Sequence, residues 1–460
     1  MSNNNRLPVC IIGAGVAGLS AARVLLNADV PFVIVEGSTR IGGRVFPFPH
    51  KGGFLQHGAT FVNGDQNEIY RIAKKEDVIV EAVGDFDLFS DFTGVKMEEE
   101  GLSSEDKADF SEFARGLEEK YDELAEGNPR MTMKEAFEED YEQFIVASPS
   151  RSSLRRSFDS LARFYLSYYE MEWAANCGKM ALANFSHWDD ESETCDQSFS
   201  LNSIGYKKII DDLANSIPEE LIRLETTVNS INYENQDSVT INFNDGTTEK
   251  FGSVIVTSSL GFLKAHASSF FSPPLKEEKM RAIESIGFGD MQKLFLEYAN
   301  PFWDEEKDYS FMTIGESSSQ LLGRGNLFEV VEWDRKTLTL WLSGPAVKYA
   351  GLKTDEELKY EITVHLRKAF NNSSIDFPSK VMRHSWRNDP LVLGSYSYLT
   401  PEAVEMGDAN SILAEPILSS HGRPLVCFAG EATHSSFYQT TCGAYLSGER
   451  EANRLSKYHI

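Results

Sequence analysis

Two glycine clusters and one lysine carry the chemistry that can be read from this chain. Gly13-Ala14-Gly15-Val16-Ala17-Gly18 lies between an apolar run, Leu7 to Ile12, and a helix-forming run that continues to about Leu26. Gly13 permits a tight turn, Gly15 lets backbone approach a pyrophosphate, and Gly18 lets the helix pack on the strand. The helix N-terminus then faces the phosphates with the positive end of its dipole. Pro31 opens a second apolar strand, Phe32-Val33-Ile34-Val35, ending at Glu36, where an acceptor for a ribose hydroxyl belongs. Gly13, Ala14, Gly15, Gly18 and Glu36 are therefore expected to bind a dinucleotide, and the motif leaves NAD and FAD open. Far downstream, Lys293 stands inside the apolar run Met291-Gln292-Lys293-Leu294-Phe295-Leu296. A lysine there needs a partner or a lowered pKa. Strand alternation alone leaves it as well suited to the surface as to a cavity.

These residues need elements to hold them. The first segment reads strand, turn, helix, strand, a βαβ opening. From about 66 to 200 the chain turns helical, with charged helix-period stretches at Glu105 to Leu124 and Leu154 to Met171. Strand signals return at Val239 to Phe243, which leads into the turn Asn244-Asp245-Gly246-Thr247, and at Val254 to Thr257. A mixed region from about 266 to 404 holds strands at Lys293 to Tyr298 and Thr337 to Leu342. The chain closes with a strand, Pro424 to Ala429, a loop, and a helix from about Gly443 to Leu455.

Composition bounds the function. The 460 residues exceed one hydrophobic core and suit two domains, with 41% apolar and 25% charged residues as in a globular protein. A net charge of -26 argues against nucleic acid and would draw in a polycation. No run approaches the length of a membrane span. The Val9 to Leu26 stretch lacks the basic leader of a signal peptide, so a cytoplasmic location is expected. Cysteines at 10, 177, 195, 427 and 442 form no CxxC pair or Cys/His cluster, so free thiols and no metal site are expected.

The second glycine cluster, Arg40-Ile41-Gly42-Gly43-Arg44, follows Glu36 directly, and a guanidinium there can reach phosphates bidentately. With it the sequence resembles the flavin-containing amine oxidases, and the polyamine oxidases most of all. The resemblance continues in order along the chain. It includes Gly58-Ala59-Thr60-Phe61-Val62-Asn63-Gly64, Gly205-Tyr206, Val228 with Ile231, and the Leu260 to Lys264 turn. It goes on through the Lys293 strand, Trp386, Gly394 to Tyr398, Gly430 to His434 and Thr440 to Ala444. It implies an α/β chain with a Rossmann-like FAD-binding domain of discontinuous segments, 1–65, 201–265 and 405–460. An α+β substrate-binding domain would comprise 66–200 and 266–404. It adds Gly43, Arg44, Gly58, Ala59, Thr60, Phe61, Val228, Trp386, Gly430, Glu431, Thr441 and Ala444 to the expected cofactor contacts. Glu431 can accept from ribityl or ribose hydroxyls, and the helix opening at Thr441 to Ala444 can stabilise charge on a reduced flavin ring.

The resemblance also implies the reaction. Hydride passes from a neutral amine to flavin N5, the imine is hydrolysed to an aldehyde and a shorter amine, and oxygen is reduced to hydrogen peroxide. Lys293 would be the catalytic residue, holding a water. Tyr396, Thr440 and Asn63 would contact the substrate. Ser395 stands where monoamine oxidases carry the cysteine bonded to flavin, so noncovalent FAD is expected. The expected partners are a small amine and oxygen, with no oligomeric state indicated. The departures gather on the substrate side: Asn63 for a histidine, His57 for an acidic residue, Met291 for a polar one. The alternatives are a related oxidase for another amine or an amino acid, or a flavin-binding paralogue with weakened catalysis. A run of acids, Asp189 to Glu193, offers either a tunnel mouth for a polyamine or a solvated loop.

Overall fold

The structure, a computed structural model, describes residues 7–83, 95–97, 101–187, 198–304, 310–316 and 318–459. The acidic run at 189–193 lies outside the described residues.

Runs of four or five residues rich in Val, Ile and Phe make the centre of the first six-stranded sheet. Its order is Ile417–Leu418, Pro424–Phe428, Ser253–Val256, Val9–Ile12, Phe32–Val35, Ile222–Arg223. All neighbours are parallel except the first pair. Every residue of Val9–Ile12, Phe32–Val35, Ser253–Val256 and Pro424–Phe428 is buried. That is why these strands read as continuous apolar runs: a parallel sheet is covered on both faces. Helix Val16–Asn27 packs against the C-terminal helix Thr441–His459. The crossing is so close that a Cβ on Gly448 would lie 2.0 Å from the Ala17 carbonyl oxygen.

The second six-stranded sheet runs Lys380–Arg383, Met291–Glu297, Thr337–Ser343, Gly325–Val330, Ser310–Ile314, Val95–Met97, antiparallel except for its last pair. Leu294, Leu296 and Leu340 join a core with Leu358, Ile362 and Leu366 of helix Asp355–Ala369. Residues of opposite parity, Met291 and Lys293, therefore face the other way. Helix Arg155–Glu172 packs on strands Gly325–Val330 and Thr337–Ser343.

The segment read as helical, 66–200, contains helices Ser104–Gly127, Met133–Val146 and Arg155–Glu172. It also contains strands the helical reading passed over: Val95–Met97, at the edge of the second sheet, Ile79–Val83 and Ser198–Leu201. Ser198–Leu201 pairs on one side with Ile79–Val83 and on the other with Val62–Asn63 in a three-stranded sheet. Mostly half-exposed strands of this length carry no clear alternation, so the helical periods around them dominate the pattern.

Candidate cofactor and substrate site

A cavity of about 560 Å³ opens at the carboxyl ends of the parallel strands, where Gly13, Glu36, Thr257 and Gly430 follow their respective strands. Ligands of open α/β sheets bind at this edge. The first wall is bare backbone. Gly13 has φ 106°, and Gly15 is the N-cap of helix Val16–Asn27 with no side-chain cap. A Cβ on Gly15 would meet nothing nearer than Gly43 Cα at 3.9 Å, so this backbone is open to a ligand. The second glycine cluster lies directly against the first, with Gly42 N–H donating to Ala14 O at 2.8 Å.

Glu36 lines the cavity, and its orientation is fixed from behind. One carboxylate oxygen accepts from Ala14 N–H at 2.7 Å and the other from Ser38 N–H at 2.8 Å. Ala14 and Gly18 do not line the cavity. Ala14 holds Glu36, and a Cβ on Gly18 would fall 2.0 Å from Gly13 O, so both shape the wall without forming it.

The guanidinium groups of Arg40 and Arg44 both have protein partners. Arg40 donates to the carbonyls of Ile41, Val45 and Gly43 and stacks 3.9 Å above the Phe46 ring, which braces the turn. Arg44 lines the cavity but pairs with Glu431 at 2.8 Å and with Ser395 O at 2.8 Å. Glu431 also accepts from Ser397 Oγ at 2.6 Å and Gln439 N–H at 2.9 Å. It is thus a buried hub joining three segments, and its oxygens already have protein partners.

Gly58, Ala59, Thr60, Phe61, Val228, Trp386, Gly430, Thr441 and Ala444 all line the same cavity. Trp386 is pinned by its indole N–H to His57 O at 3.0 Å. Tyr206 O–H donates to Phe61 O at 2.7 Å and lies 2.9 Å from Thr441 Oγ. Thr440 lines the cavity, yet its hydroxyl accepts from Gly443 N–H at 2.9 Å and donates to Phe437 O at 2.8 Å, so it serves the start of the last helix. Bare glycine backbone, an oriented carboxylate and two helix starts along one cavity fit an elongated, doubly anionic dinucleotide.

The remaining cavity is lined from the second sheet and its helix. Lys293 is only 4% exposed. Its Nζ donates to Gly58 O at 2.7 Å and to Thr60 Oγ, and it lies 4.7 Å from the Trp341 ring centroid. Burial drives the ammonium down to about 7, against the pull of Glu329. Glu172, at the end of helix Arg155–Glu172, lines the cavity too. Burial raises it to about 7, and repulsion from Glu329 adds to the rise. Tyr396 O–H donates to the Met171 and Glu172 carbonyls at 3.3 and 3.1 Å, closing the end of that helix. Asn63 donates to Ser198 Oγ at 3.0 Å. His57 lies among Phe46, Phe48 and Phe295, and burial first, then Lys293, lowers it to about 3, so it stays neutral.

Sequence reasoning missed Glu172, Glu329 and Trp341. Nothing in its helix period separates Glu172 from the other glutamates of the helical segment. Glu329, an acid inside the strand Asn326-Leu327-Phe328-Glu329-Val330, carried the same signal as Lys293 and was legible. Among the described residues no group of three or more His, Cys, Asp or Glu could hold a metal ion, and no helix is long and apolar enough to cross a membrane.

The family model described as flavin containing amine oxidoreductase matches residues 16–456. The chain is 29% identical to a probable polyamine oxidase 5 of Arabidopsis thaliana, over 98% of each chain. It is 28% identical to the human peroxisomal N(1)-acetyl-spermine/spermidine oxidase, over 97% of this chain and 94% of that one. It is also 29% identical to the human lysine-specific histone demethylase 2, over 98% of this chain but 53% of that protein.

Proposed function

The chain belongs to the flavin containing amine oxidoreductases, and on that premise we propose that it oxidises a polyamine such as spermine, spermidine or an acetylated form. The carrying observation is that Lys293 and Glu172, both near 7, line the same cavity as the glycine loops. A carboxylate on the wall of that cavity, beside apolar and aromatic side chains, recognises a second cationic nitrogen of a substrate, which a simple monoamine lacks.

Bound FAD supplies the hydride acceptor, and oxygen is the final oxidant, leaving as hydrogen peroxide. Gly13, Gly15, Gly42 and Gly43 would hold its phosphates, and Glu36 a ribose hydroxyl. Lys293 is close to half neutral at pH 7, and its Nζ is held on the cavity wall by Gly58 O and Thr60 Oγ. In its neutral form it keeps a lone pair to order a water and to accept a proton. Glu172 holds a distal ammonium, and Tyr396 fixes the helix end that carries Glu172. The imine left on the substrate takes up water and gives an aldehyde and a shorter amine.

Ser395 donates its hydroxyl to Gly289 O at 2.9 Å and offers no thiol for a flavin bond, which supports noncovalent attachment. The same reading assigns 1–65, 201–265 and 405–460 to the FAD-binding domain and 66–200 with 266–404 to the substrate-binding domain. The test is anaerobic addition of spermine, spermidine, their acetyl forms and a methylated lysine peptide to the purified flavoprotein. Bleaching of the flavin spectrum by a polyamine supports the proposal. Bleaching by the peptide alone would replace it with a demethylase reading. Acid precipitation that leaves all flavin in the supernatant supports noncovalent binding.

A further inference from the structure

Lys293 has a neighbour on each of the next two strands of its sheet. The register sets Lys293 opposite Trp341, which puts both side chains on the cavity face. On the next strand Phe328 pairs with Leu340 and Glu329 with Thr339, so Glu329 lies diagonal to Trp341 on that same face. The Trp341 indole N–H donates to Glu329 Oε2, and Lys293 Nζ lies 4.7 Å from the Trp341 ring centroid. Cation, aromatic ring and carboxylate thus follow one another across three strands.

We propose that Glu329 is a positioning residue for Lys293: by anchoring Trp341 it holds the ring against the lysine and stabilises the protonated amino group. The proposal rests on the reading of Lys293 as the residue that acts on the amine.

The physical argument has two parts. A carboxylate that accepts the indole N–H pushes electron density into the ring, and a richer ring attracts a cation more strongly. The carboxylate also attracts the ammonium directly across a cavity of low dielectric. Both effects act in one direction, opposing the desolvation that lowers Lys293. Other charged groups do not duplicate this role. On helix Arg155–Glu172, Glu172 lines the cavity but interacts chiefly with Glu329. On the segment after Gly53–Gln56, His57 is neutral. On strand Lys380–Arg383, Arg383 is turned to the Ala350 and Lys353 carbonyls and Asp355. At the end of its own strand, Glu297 pairs with Lys51. Strand Thr337–Ser343 carries no ionisable side chain. Arg44, also in the cavity wall, is tied to Glu431.

The test measures the charge of Lys293 without turnover. The full-length flavoprotein is labelled with limiting acetic anhydride from pH 5.5 to 9.5, and acetylation of Lys293 is read by peptide mass spectrometry. The variants are Glu329→Gln and Trp341→Phe, the second keeping ring and carboxylate but removing the N–H. The Glu329→Gln midpoint is expected to fall by about one pH unit, and the Trp341→Phe midpoint by less. A midpoint that is unchanged or raised in folded Glu329→Gln overturns the proposal. Flavin content and melting temperature report folding. If Glu329→Gln fails to fold, an unchanged midpoint in Trp341→Phe is the overturning result. Loss of amine-driven bleaching in wild type would sink the substrate reading and leave this coupling standing, so the two failures are distinguishable.

Discussion

Replacing Lys293 with methionine should make the apoprotein more stable near neutral pH, and the gain should vanish as pH rises. Lys293 titrates at about 7 in the fold against an ordinary 10.5. The unfolded chain therefore binds one more proton than the folded one between these values, so wild-type stability rises with pH across that window. At about 1.4 kcal/mol per unit, the shift corresponds to roughly 5 kcal/mol of penalty below pH 7, nearly gone by pH 10. The side chain is buried, so solvent does not screen the effect. The bonds from Nζ to Gly58 O and Thr60 Oγ return about 1 kcal/mol each, and the variant leaves Gly58 O without its donor. The expected net gain for Lys293→Met is about 2 kcal/mol at pH 7, falling by about 3 kcal/mol between pH 7 and 10. Paired melts of the apo forms, followed by circular dichroism at one scan rate from pH 6 to 10, measure the difference. A difference that stays flat across this range refutes the burial argument, whatever its sign.

The other expectations concern substrate, cofactor and fold. Glu172→Gln should raise KM for a polyamine roughly tenfold with a smaller effect on kcat, since a cavity carboxylate that meets an ammonium is lost. In wild type, Glu172 is protonated as pH falls through about 7, so polyamine KM should climb on the acid side; a KM flat from pH 5.5 to 8 counts against that contact. Glu36→Ala frees the Ala14 and Ser38 N–H groups it now accepts from; it should weaken FAD at least about tenfold by fluorescence titration. Gly58→Ala would place a Cβ 1.7 Å from Arg44 O; soluble yield and melting temperature should both drop, by an amount equivalent to about 3 kcal/mol or more.

Legibility tracked locality. The first βαβ unit was readable because its glycines, its apolar strands and Glu36 act within one short segment. Helices Arg155–Glu172 and Thr441–His459 were found to within a few residues because each repeats one period along its length. Lys293 drew notice as a charge in an apolar strand, but alternation could not place it: the strand is buried on both faces up to Leu296, so parity carried no exposure signal. Thr440 was expected at the substrate and lines the cavity, while its hydroxyl serves a helix start, a local bond invisible in residue type alone.

The sequence by itself determined the dinucleotide loop, the acid at the end of the second strand, and an odd lysine in a strand. Each is fixed by φ angles, strand ends and the cost of burying charge, all of which act over a few residues. Only the tertiary structure decided that Arg44 pairs with Glu431, 387 positions away, that Glu172 enters the cavity from a helix end, and that Trp341 stands between Lys293 and Glu329. Those meetings depend on sheet order and register, which arise from the packing of whole elements and have no counterpart in the spacing of neighbours along the chain.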